Sequence, residues 1–233
     1  MAENFAILPA GGLGVRLGGE TKKQFLFLNG KTLLEHVVER FLETKLFSKI
    51  VVCLPGDEMD RFKDHSLFSQ ILLVEGGKTR GESVRNGFLA LSAKSSDIVL
   101  IHDVARPLVS AHLISQMVIA TQKLGAVILG MPVSDTIKEV MDGKISRTVD
   151  RKNLMVAQTP QGFSCGLLQA AYEKVGAIHE LPLQEYTDEA MLVETTGETV
   201  HIVEGERTNF KVTTEFDLKM AEFMITPPNP LLD

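Results

Sequence analysis

The sequence has few of the residues on which disulfide-rich, zinc-binding and nucleic-acid-binding proteins depend. Only two cysteines, Cys53 and Cys165, occur among its 233 residues, which excludes a disulfide framework and favours a reducing compartment. Its six histidines lack the spacing of zinc ligands. The net charge of -6 argues against binding to nucleic acid or to an anionic membrane surface. Any anionic substrate must therefore bind in a local cationic pocket.

Long apolar segments are also missing from the sequence. The longest apolar runs, such as residues 126–133, are far too short to span a bilayer. The first four residues, MAEN, lack the basic and apolar regions of a signal peptide. With 44% apolar and 23% charged residues, the chain has the composition of a globular protein, and we expect it in the cytoplasm.

Short apolar segments alternate with amphipathic segments along most of the chain, which is typical of an α/β fold. We expect a mostly parallel twisted sheet with helices on both faces, and ligands at the carboxyl ends of its strands. The predicted strands are 5–8, 50–54, 71–74, 98–101, 126–131 and 200–203, and the predicted helices are 33–42, 82–91, 113–123, 167–175, 188–194 and 215–224.

The alternation ends after Pro132. Asp142-Gly143 lies between two strand-like segments, residues 137–140 and 144–146, which predicts a β-hairpin. We interpret residues 134–153 as a projecting arm for contact with a second subunit, within a single domain that spans residues 1–233. The proline-rich residues 226–233 are expected to form a mobile tail.

The most informative segment follows the first predicted strand and runs PAGGLGVRLG from Pro9 to Gly18. Its glycines at positions 11, 12 and 14 allow a tight turn and a close approach of backbone N–H groups to a ligand. Arg16 and Lys23 place positive charge beside the same loop. This combination suits a nucleoside triphosphate and suggests that phosphate chemistry takes place there.

Two better-known glycine motifs do not fit this segment. The dinucleotide fingerprint would need a third glycine at Leu17, and the P-loop would need a lysine at Glu20. A dinucleotide-dependent oxidoreductase is therefore disfavoured. A nucleotide-binding module without catalysis remains an alternative, against which Arg16 and Lys23 both argue.

A second glycine-containing segment follows the predicted strand 71–74. Gly77, Arg80 and Ser83 lie where that strand gives way to a helix. They either bind a nucleobase and its sugar or form an ordinary turn with a capped helix.

A third polar segment, HDVARP, follows the predicted strand 98–101. Asp103 and Arg106 either hold a metal ion and a phosphate group or form a salt bridge with each other. His102 is expected to pack against other residues rather than to act as a base.

Four further positions are open to a structural and a functional interpretation. Thr136 and Arg151 lie on the two sides of the predicted hairpin, and Thr187 stands at a predicted helix N-cap. Thr159 lies in the polar stretch Thr159-Pro160-Gln161, which would also suit a plain turn. Lys211 is a cation in a strand-like segment and is expected to point into the site.

Nine segments in order resemble 2-C-methyl-D-erythritol 4-phosphate cytidylyltransferases, from about Phe5 to about Phe223. They are P-A-G-G-x-G-x-R, K-Q-F, G-G-x-x-R-x-x-S-V, H-D-x-A-R-P, D-T-I-K, D-R-x-x-L, Q-T-P-Q, T-D-E and F-K-V-T. Members of that family transfer a cytidylyl group from CTP to methylerythritol phosphate, release pyrophosphate and need Mg²⁺. The resemblance implies this reaction, in non-mevalonate isoprenoid biosynthesis, and a homodimer with shared active sites.

The resemblance also implies a role for each matching residue. The catalytic residues would be Arg16, Lys23, Arg151 and Lys211. The residues that bind CTP would be Ala10, Gly11, Gly12, Gly14, Gly77, Arg80, Ser83 and Ala105. The residues that bind the sugar phosphate would be Asp103, Arg106, Thr136, Thr159 and Thr187. Asp103 is also the candidate ligand of the metal ion, and Thr136 and Arg151 would reach the site of the neighbouring subunit.

A sister family, the ribitol 5-phosphate cytidylyltransferases, shares the glycine segment and most later motifs and remains the alternative. Thr136 with Lys138 and the D-R-x-x-L segment favour the erythritol enzyme. One departure from the family pattern is Lys22, at a position that is often proline. We expect this change to loosen the loop that carries Lys23.

Overall fold

The computed structural model describes residues 2–11, 22–177 and 186–225, and a seven-stranded sheet lies at the centre of these residues. The strands are β1 (Asn4–Pro9), β2 (Phe27–Leu28), β3 (Lys31–Thr32), β4 (Lys49–Leu54), β5 (Ile71–Glu75), β6 (Ile98–Ile101), β7 (Ala126–Pro132), β8 (Ile137–Met141), β9 (Lys144–Val149), β10 (Met155–Ser164) and β11 (His201–Glu204). The helices are α1 (Leu33–Thr44), α2 (Met59–Lys63), α3 (Arg80–Leu89), α4 (Ala111–Leu124), α5 (Cys165–Ala177), α6 (Glu189–Glu194) and α7 (Glu215–Ile225). Across the central sheet the order is β11-β7-β10-β6-β1-β4-β5.

Neighbouring strands of this sheet are parallel, except that β10 runs antiparallel to both β6 and β7. The predicted mostly parallel sheet is confirmed, and β10 corrects the sequence analysis. Thr159-Pro160-Gln161 is not a plain turn but lies inside this ten-residue strand. Its pairing with β7 is irregular between Gln158 and Gln161, and such an irregularity is where a sheet accepts a proline.

Apolar side chains of the sheet alternate between two cores. In β1, Ala6 and Leu8 pack on the side of α1 and α4, whereas Phe5 and Ile7 pack on the side of α3 and α5. This period of two follows from the pleat of a strand, and it confirms that helices cover both faces. The carboxyl ends of the parallel strands β1, β4 and β6 therefore meet at one edge, between the two helical layers.

Side-chain caps set the first residues of the helices that border this edge. Thr79 accepts a hydrogen bond from a backbone N–H in the first turn of α3, so this helix begins at Arg80, two residues before the predicted start. Asp188 caps α6 in the same way and makes Glu189 its first residue. Each such cap stabilises its helix by about 1 kcal/mol. None of the helices within the described ranges is long and apolar enough to cross a membrane.

The hairpin of β8 and β9 leaves the main sheet and forms a separate two-stranded sheet. Asp142 and Gly143 form its turn with φ angles of 51° and 74°, as the Asp-Gly pair predicts. Most of its side chains are exposed, and they include the apolar cross-strand pair Val140 and Ile145. We call residues 134–153 the arm.

Candidate active site

Asp103 lies at the carboxyl end of β6 in the centre of a cluster of charged side chains. Its Oδ1 accepts a hydrogen bond from Nε of Arg80 at 2.8 Å, and its Oδ2 accepts one from Nζ of Lys211 at 2.7 Å. The N–H of Val212 donates to the carbonyl of Ala105 at 2.8 Å, which brings Lys211 alongside. Three residues that the sequence analysis selected from distant segments therefore meet at the predicted edge of the sheet.

Arg80 also binds Glu189, which was not among the predicted site residues. Its Nη1 donates to the two carboxylate oxygens of Glu189 at 2.8 and 3.0 Å. Glu189 is only 3% exposed. The sequence signal for this residue was the T-D-E segment itself, but the segment gave no sign that its glutamate is buried against an arginine 109 positions away.

Burial and neighbouring charges act in opposite directions on this cluster. Burial alone would raise the pKa of Asp103, but Arg80 and Lys211 outweigh it and hold that pKa well below its usual range. Burial opposes the charge of Arg80, yet Glu189 and Asp103 raise its pKa. For Glu189 burial is the stronger influence and raises the pKa, although Arg80 lowers it. Asp103 and Arg80 are therefore a fixed anion and a fixed cation.

A chain of hydrogen bonds from β10 supports the backbone of Asp103. The hydroxyl of Thr159 accepts from the N–H of Asp103 at 3.0 Å and lies 3.1 Å from Nδ1 of His102, whose Nε2 lies 3.1 Å from the carbonyl of Arg106. Because a carbonyl only accepts, Nε2 carries the hydrogen and Nδ1 accepts from Thr159. Burial lowers the pKa of His102 to about 4, which keeps the ring neutral. His102 thus packs, as expected, and also fixes the hydroxyl of Thr159.

Arg106 is directed at backbone carbonyls. Its Nη1 donates to the carbonyl of Asn209 at 2.9 Å, and its Nη2 donates to the carbonyl of Ala157 at 3.2 Å. Among the described residues it forms no ion pair with Asp103, so the salt bridge considered from the sequence is wrong. Burial lowers the pKa of Arg106, although Asp103 raises it. In this arrangement Arg106 joins β10 to the segment that precedes Lys211.

The described start of the glycine segment is joined by hydrogen bonds to β4 and to the chain that is described again from Lys22 onward. The N–H of Ala10 continues the sheet pairing by donating to the backbone carbonyl of Cys53 at 2.8 Å. The carbonyl of Ala10 accepts a hydrogen bond from Nε2 of Gln24 at 2.5 Å. Lys23 begins a short 3₁₀ helix, Lys23–Phe25, and lies five positions after Gly18, the last residue of this segment. The predicted site residues Gly12, Gly14 and Arg16 lie outside the described residues.

Lys22, just before this helix, is held by two carboxylates. Its Nζ donates to Asp57 at 2.6 and 2.7 Å and lies 3.5 Å from Glu58. These acids belong to the turn that follows β4. The contact argues against the loosening that we expected from a lysine at this position.

Ser83 lies between the glycine segment and the second glycine-containing segment. Its hydroxyl accepts from the N–H of Gly77 at 3.0 Å and donates to the carbonyl of Thr79 at 2.9 Å. A Cβ atom added to Gly11 would lie 2.8 Å from Oγ of Ser83, and one added to Gly77 would lie 2.2 Å from Cβ of Glu82. Only glycine allows these close approaches, and they bring the two predicted nucleotide-binding segments side by side.

The remaining predicted residues are exposed. Arg151 donates to the carbonyl of Ser134 within the arm, and the hydroxyl of Thr187 lies 4.0 Å from the sulfur of Met191. Thr136 is exposed at the start of the arm. Within the described ranges, no hydrogen bond or ion pair joins these three predicted residues to the Asp103 cluster.

A metal ion would find few protein ligands here. The described part of the chain has no group of three or more histidine, cysteine, aspartate or glutamate side chains that could hold one. Asp103 is a single carboxylate whose oxygens already bind two cations. This donor set fits a Mg²⁺ ion that takes most of its oxygen ligands from a nucleotide and from water.

Comparison with known proteins identifies relatives along nearly the whole chain. Residues 5–227 match the family model described as IspD, 2-C-methyl-D-erythritol 4-phosphate cytidylyltransferase. A protein of that name from Syntrophotalea carbinolica is 40% identical over 96% of this chain and 97% of its own length. Another from Trichodesmium erythraeum is 42% identical over 94% of this chain and 97% of its own length.

Solved structures of the same kind share the fold. The Francisella tularensis 2-C-methyl-D-erythritol 4-phosphate cytidylyltransferase superposes with a TM-score of 0.83 at 31% identity, covering 96% of this chain and 100% of that one. The Thermus thermophilus enzyme gives a TM-score of 0.79 at 34% identity, covering 96% and 98%.

Proposed function

The chain belongs to the family of 2-C-methyl-D-erythritol 4-phosphate cytidylyltransferases, and we propose how its charged cluster carries out their reaction. It is a cytidylyltransferase of isoprenoid precursor biosynthesis, and the ribitol phosphate alternative finds no support among its relatives. An oxygen of the methylerythritol phosphate forms a bond to the α-phosphorus of CTP, and the bond from that phosphorus to pyrophosphate breaks. Both reactants are anions, so fixed positive charge supplies much of the catalysis.

The observation that carries this proposal is the meeting of both glycine-containing segments with the Asp103 cluster at one edge of the sheet. In our proposal the triphosphate lies along the backbone of the first segment, and the cytosine and ribose lie along the second. The protein groups that bind CTP are those of Ala10, Gly11, Gly12, Gly14, Gly77, Arg80, Ser83 and Ala105. The paired approach of Gly11 and Gly77 to Ser83 and its helix supports this division.

The sugar phosphate lies on the side of Lys211 and Arg106 in this proposal. Lys211 is placed to contact both reactants, because its ammonium group binds Asp103 while its side chain is 42% exposed. Asp103, with Thr159 behind it, orients the acceptor, and the exposed Thr187, which precedes the cap of α6, binds the sugar phosphate. No protein nucleophile is needed, since the attacking phosphate is itself ionised at neutral pH.

Mg²⁺ would be held by Asp103 together with the phosphates of CTP. When bound, the ion neutralises phosphate charge and helps to align the triphosphate. The two cations that now bind Asp103 would share its carboxylate with the metal ion.

We further propose a homodimer in which the arm of one subunit supplies Thr136 and Arg151 to the other. The apolar pair Val140 and Ile145, which is 58% and 65% exposed, supports this because a free two-stranded hairpin gains little by exposing such residues. A cytoplasmic location and the lack of a nucleic-acid partner remain predictions from composition.

The reaction is tested by measuring pyrophosphate release with CTP and Mg²⁺, with methylerythritol phosphate and ribitol phosphate offered separately. We expect release with methylerythritol phosphate alone. Release with ribitol phosphate alone would move the specificity to the sister family. Release with neither would contradict an enzymatic role.

The ion pair of Lys22 gives a prediction about the loop before Lys23. We expect Lys22→Ala to raise the KM for CTP about two- to fivefold, the size expected for a partly exposed ion pair. Lys22→Pro should stay near the wild-type KM, because the φ of -60° and ψ of 134° at this position suit proline. Steady-state kinetics at low and high salt measure both effects.

The salt dependence of the KM for CTP distinguishes loss of the Lys22 ion pair from other effects of Lys22→Ala. High ionic strength weakens CTP binding in every variant, so the ion pair is measured by a ratio: the KM of Lys22→Ala relative to that of the wild type should fall toward one as salt rises. Lys63→Ala, which removes the exposed ion pair with Asp60 on α2, is the matched control. If Lys22→Ala behaves like this control at every salt concentration, the pair does not position the loop.

A further inference from the structure

One amino group of the Arg80 guanidinium makes no hydrogen bond to the described residues. Its Nε donates to Asp103, and its Nη1 donates to Glu189, so these two acids fix the plane of the guanidinium group. Its Nη2 is buried and finds no hydrogen-bond partner among the described residues. A buried N–H group without an acceptor is unfavourable, so this group is suited to an acceptor that arrives with a ligand.

We propose that Glu189 is a positioning residue for nucleotide binding: it holds Arg80 so that Nη2 is presented to an oxygen of the cytosine or ribose. This proposal rests on the assignment of CTP as the nucleotide. Arg80 is the first residue of α3 and lies in the same turn as Gly77 and Ser83. The ligand group must be a hydrogen-bond acceptor, because a guanidinium group only donates.

Glu189 is not needed to anchor its own helix. The start of α6 is already held by Nε2 of Gln161, which donates to Asp188 at 2.8 Å, and by Asp188, which accepts from the N–H of Met191 at 3.0 Å. The N–H of Ala190 donates to Oε1 of Gln161 at 3.3 Å. The hydrogen bonds of the Glu189 carboxylate in the described structure all go to Arg80, which separates its role from that of its neighbours.

Glu189 also fixes the orientation of the Arg80 guanidinium group relative to Asp103. Without the charge of Glu189, Asp103 would be the only anionic partner of Arg80 among the described residues, and the guanidinium group would be free to turn about that contact. With both acids present, hydrogen bonds hold the guanidinium group of Arg80 at Nε and at Nη1. Because the group is planar, the direction of Nη2 is then fixed as well.

The test is Glu189→Gln, which keeps the shape and one acceptor oxygen but removes the charge. We expect the dissociation constant and the KM for CTP to rise about ten- to a hundredfold, the effect of weakening a charged hydrogen bond, with kcat within about threefold of wild type. Equilibrium binding of CTP in the presence of Mg²⁺ and steady-state kinetics give the two readouts. Glu194→Gln makes the same charge change on the exposed end of α6 and should leave both values unchanged.

A double-mutant cycle distinguishes positioning from a structural role. Arg80→Lys keeps the positive charge but cannot span both acids, so it should weaken CTP binding by a similar factor. In the Arg80→Lys background, Glu189→Gln should then have little further effect on CTP binding. An equal loss in both backgrounds, or a fall in melting temperature with unchanged CTP binding, would overturn the proposal.

Failure of this inference can be distinguished from failure of the proposed function. If Glu189→Gln does not fold, Glu189→Asp replaces it: the shorter side chain keeps the charge but withdraws it from Nη1 of Arg80, so CTP binding should weaken, and unchanged CTP binding would overturn the proposal. Failure of the wild-type protein to bind CTP would overturn the proposed function together with this inference. Normal wild-type binding and turnover with no effect of Glu189→Gln would overturn the inference alone.

Discussion

Replacing Lys23 with alanine is expected to lower kcat at least about a hundredfold and to change the KM for CTP much less. In our proposal the ammonium group of Lys23 meets the α-phosphate while negative charge moves onto the departing pyrophosphate. A contact that strengthens in the transition state affects kcat more than binding. Steady-state pyrophosphate release with CTP and methylerythritol phosphate measures both constants.

Contacts of the two residues after Lys23 should preserve the local structure in Lys23→Ala, so that the variant tests the lysine side chain itself. Gln24 is tied to Ala10, and the ring of Phe25 is buried and stacks on Phe62 at 5.5 Å, so the turn keeps its anchors without the lysine. The melting temperature should therefore stay near that of the wild type. Lys31→Ala, which removes an exposed lysine of β3, is the control for loss of one positive charge. A near-normal kcat for Lys23→Ala would contradict its assignment.

The elements that consist of a continuous apolar run or show a helical apolar period could be predicted closely from the sequence. The predicted strand 98–101 coincides with β6, and the predicted helix 215–224 ends one residue before α7 does. Both faces of the sheet are buried, so its strands are continuous apolar runs. The small β2–β3 hairpin was missed, although its Asn29-Gly30 turn, with φ angles of 47° and 83°, is a recognised hairpin signal.

β10 could not be predicted, because its central residues are buried and polar. Gln158 donates to the carbonyl of Glu206 at 2.9 Å, Thr159 supports Asp103, and Gln161 holds Asp188. Each polar group is satisfied by a loop distant in sequence, and a local pattern contains no information about such partners. A polar stretch with a proline therefore resembled a turn.

For the candidate site, the sequence predicted where Asp103 lies but not which cations bind it. That Asp103 lies at a strand end, near residues from other strand ends, followed from the rules for parallel sheets. Its partners did not follow, because Arg80 and Lys211 approach it from 23 and 108 positions away. Arg106, the nearest cation in sequence, is instead held by backbone carbonyls. Sequence proximity is a poor guide to which charges are paired.

Mixing two inactive variants should restore activity if the arm completes the site of the other subunit. Lys23→Ala damages the main part of a site, and Arg151→Ala damages the arm, so each homodimer should be nearly inactive. In a mixed dimer, one site combines both defects, and the other has an intact main part and an intact arm. Random exchange of equal amounts gives half mixed dimers, so about a quarter of the wild-type activity should return.

The contacts of Arg151 are the reason for testing a role of the arm in the other subunit. Arg151 is exposed, and its guanidinium group donates to the carbonyl of Ser134 at the base of the same arm. Within the described residues it makes no hydrogen bond or ion pair with the Asp103 cluster of its own chain. Subunit exchange should be verified by differently tagged chains, with pyrophosphate release followed over the same period. Recovery must depend on exchange, so chains mixed without exchange are the control. Full exchange without recovery would mean that Arg151 acts within its own subunit or not at all.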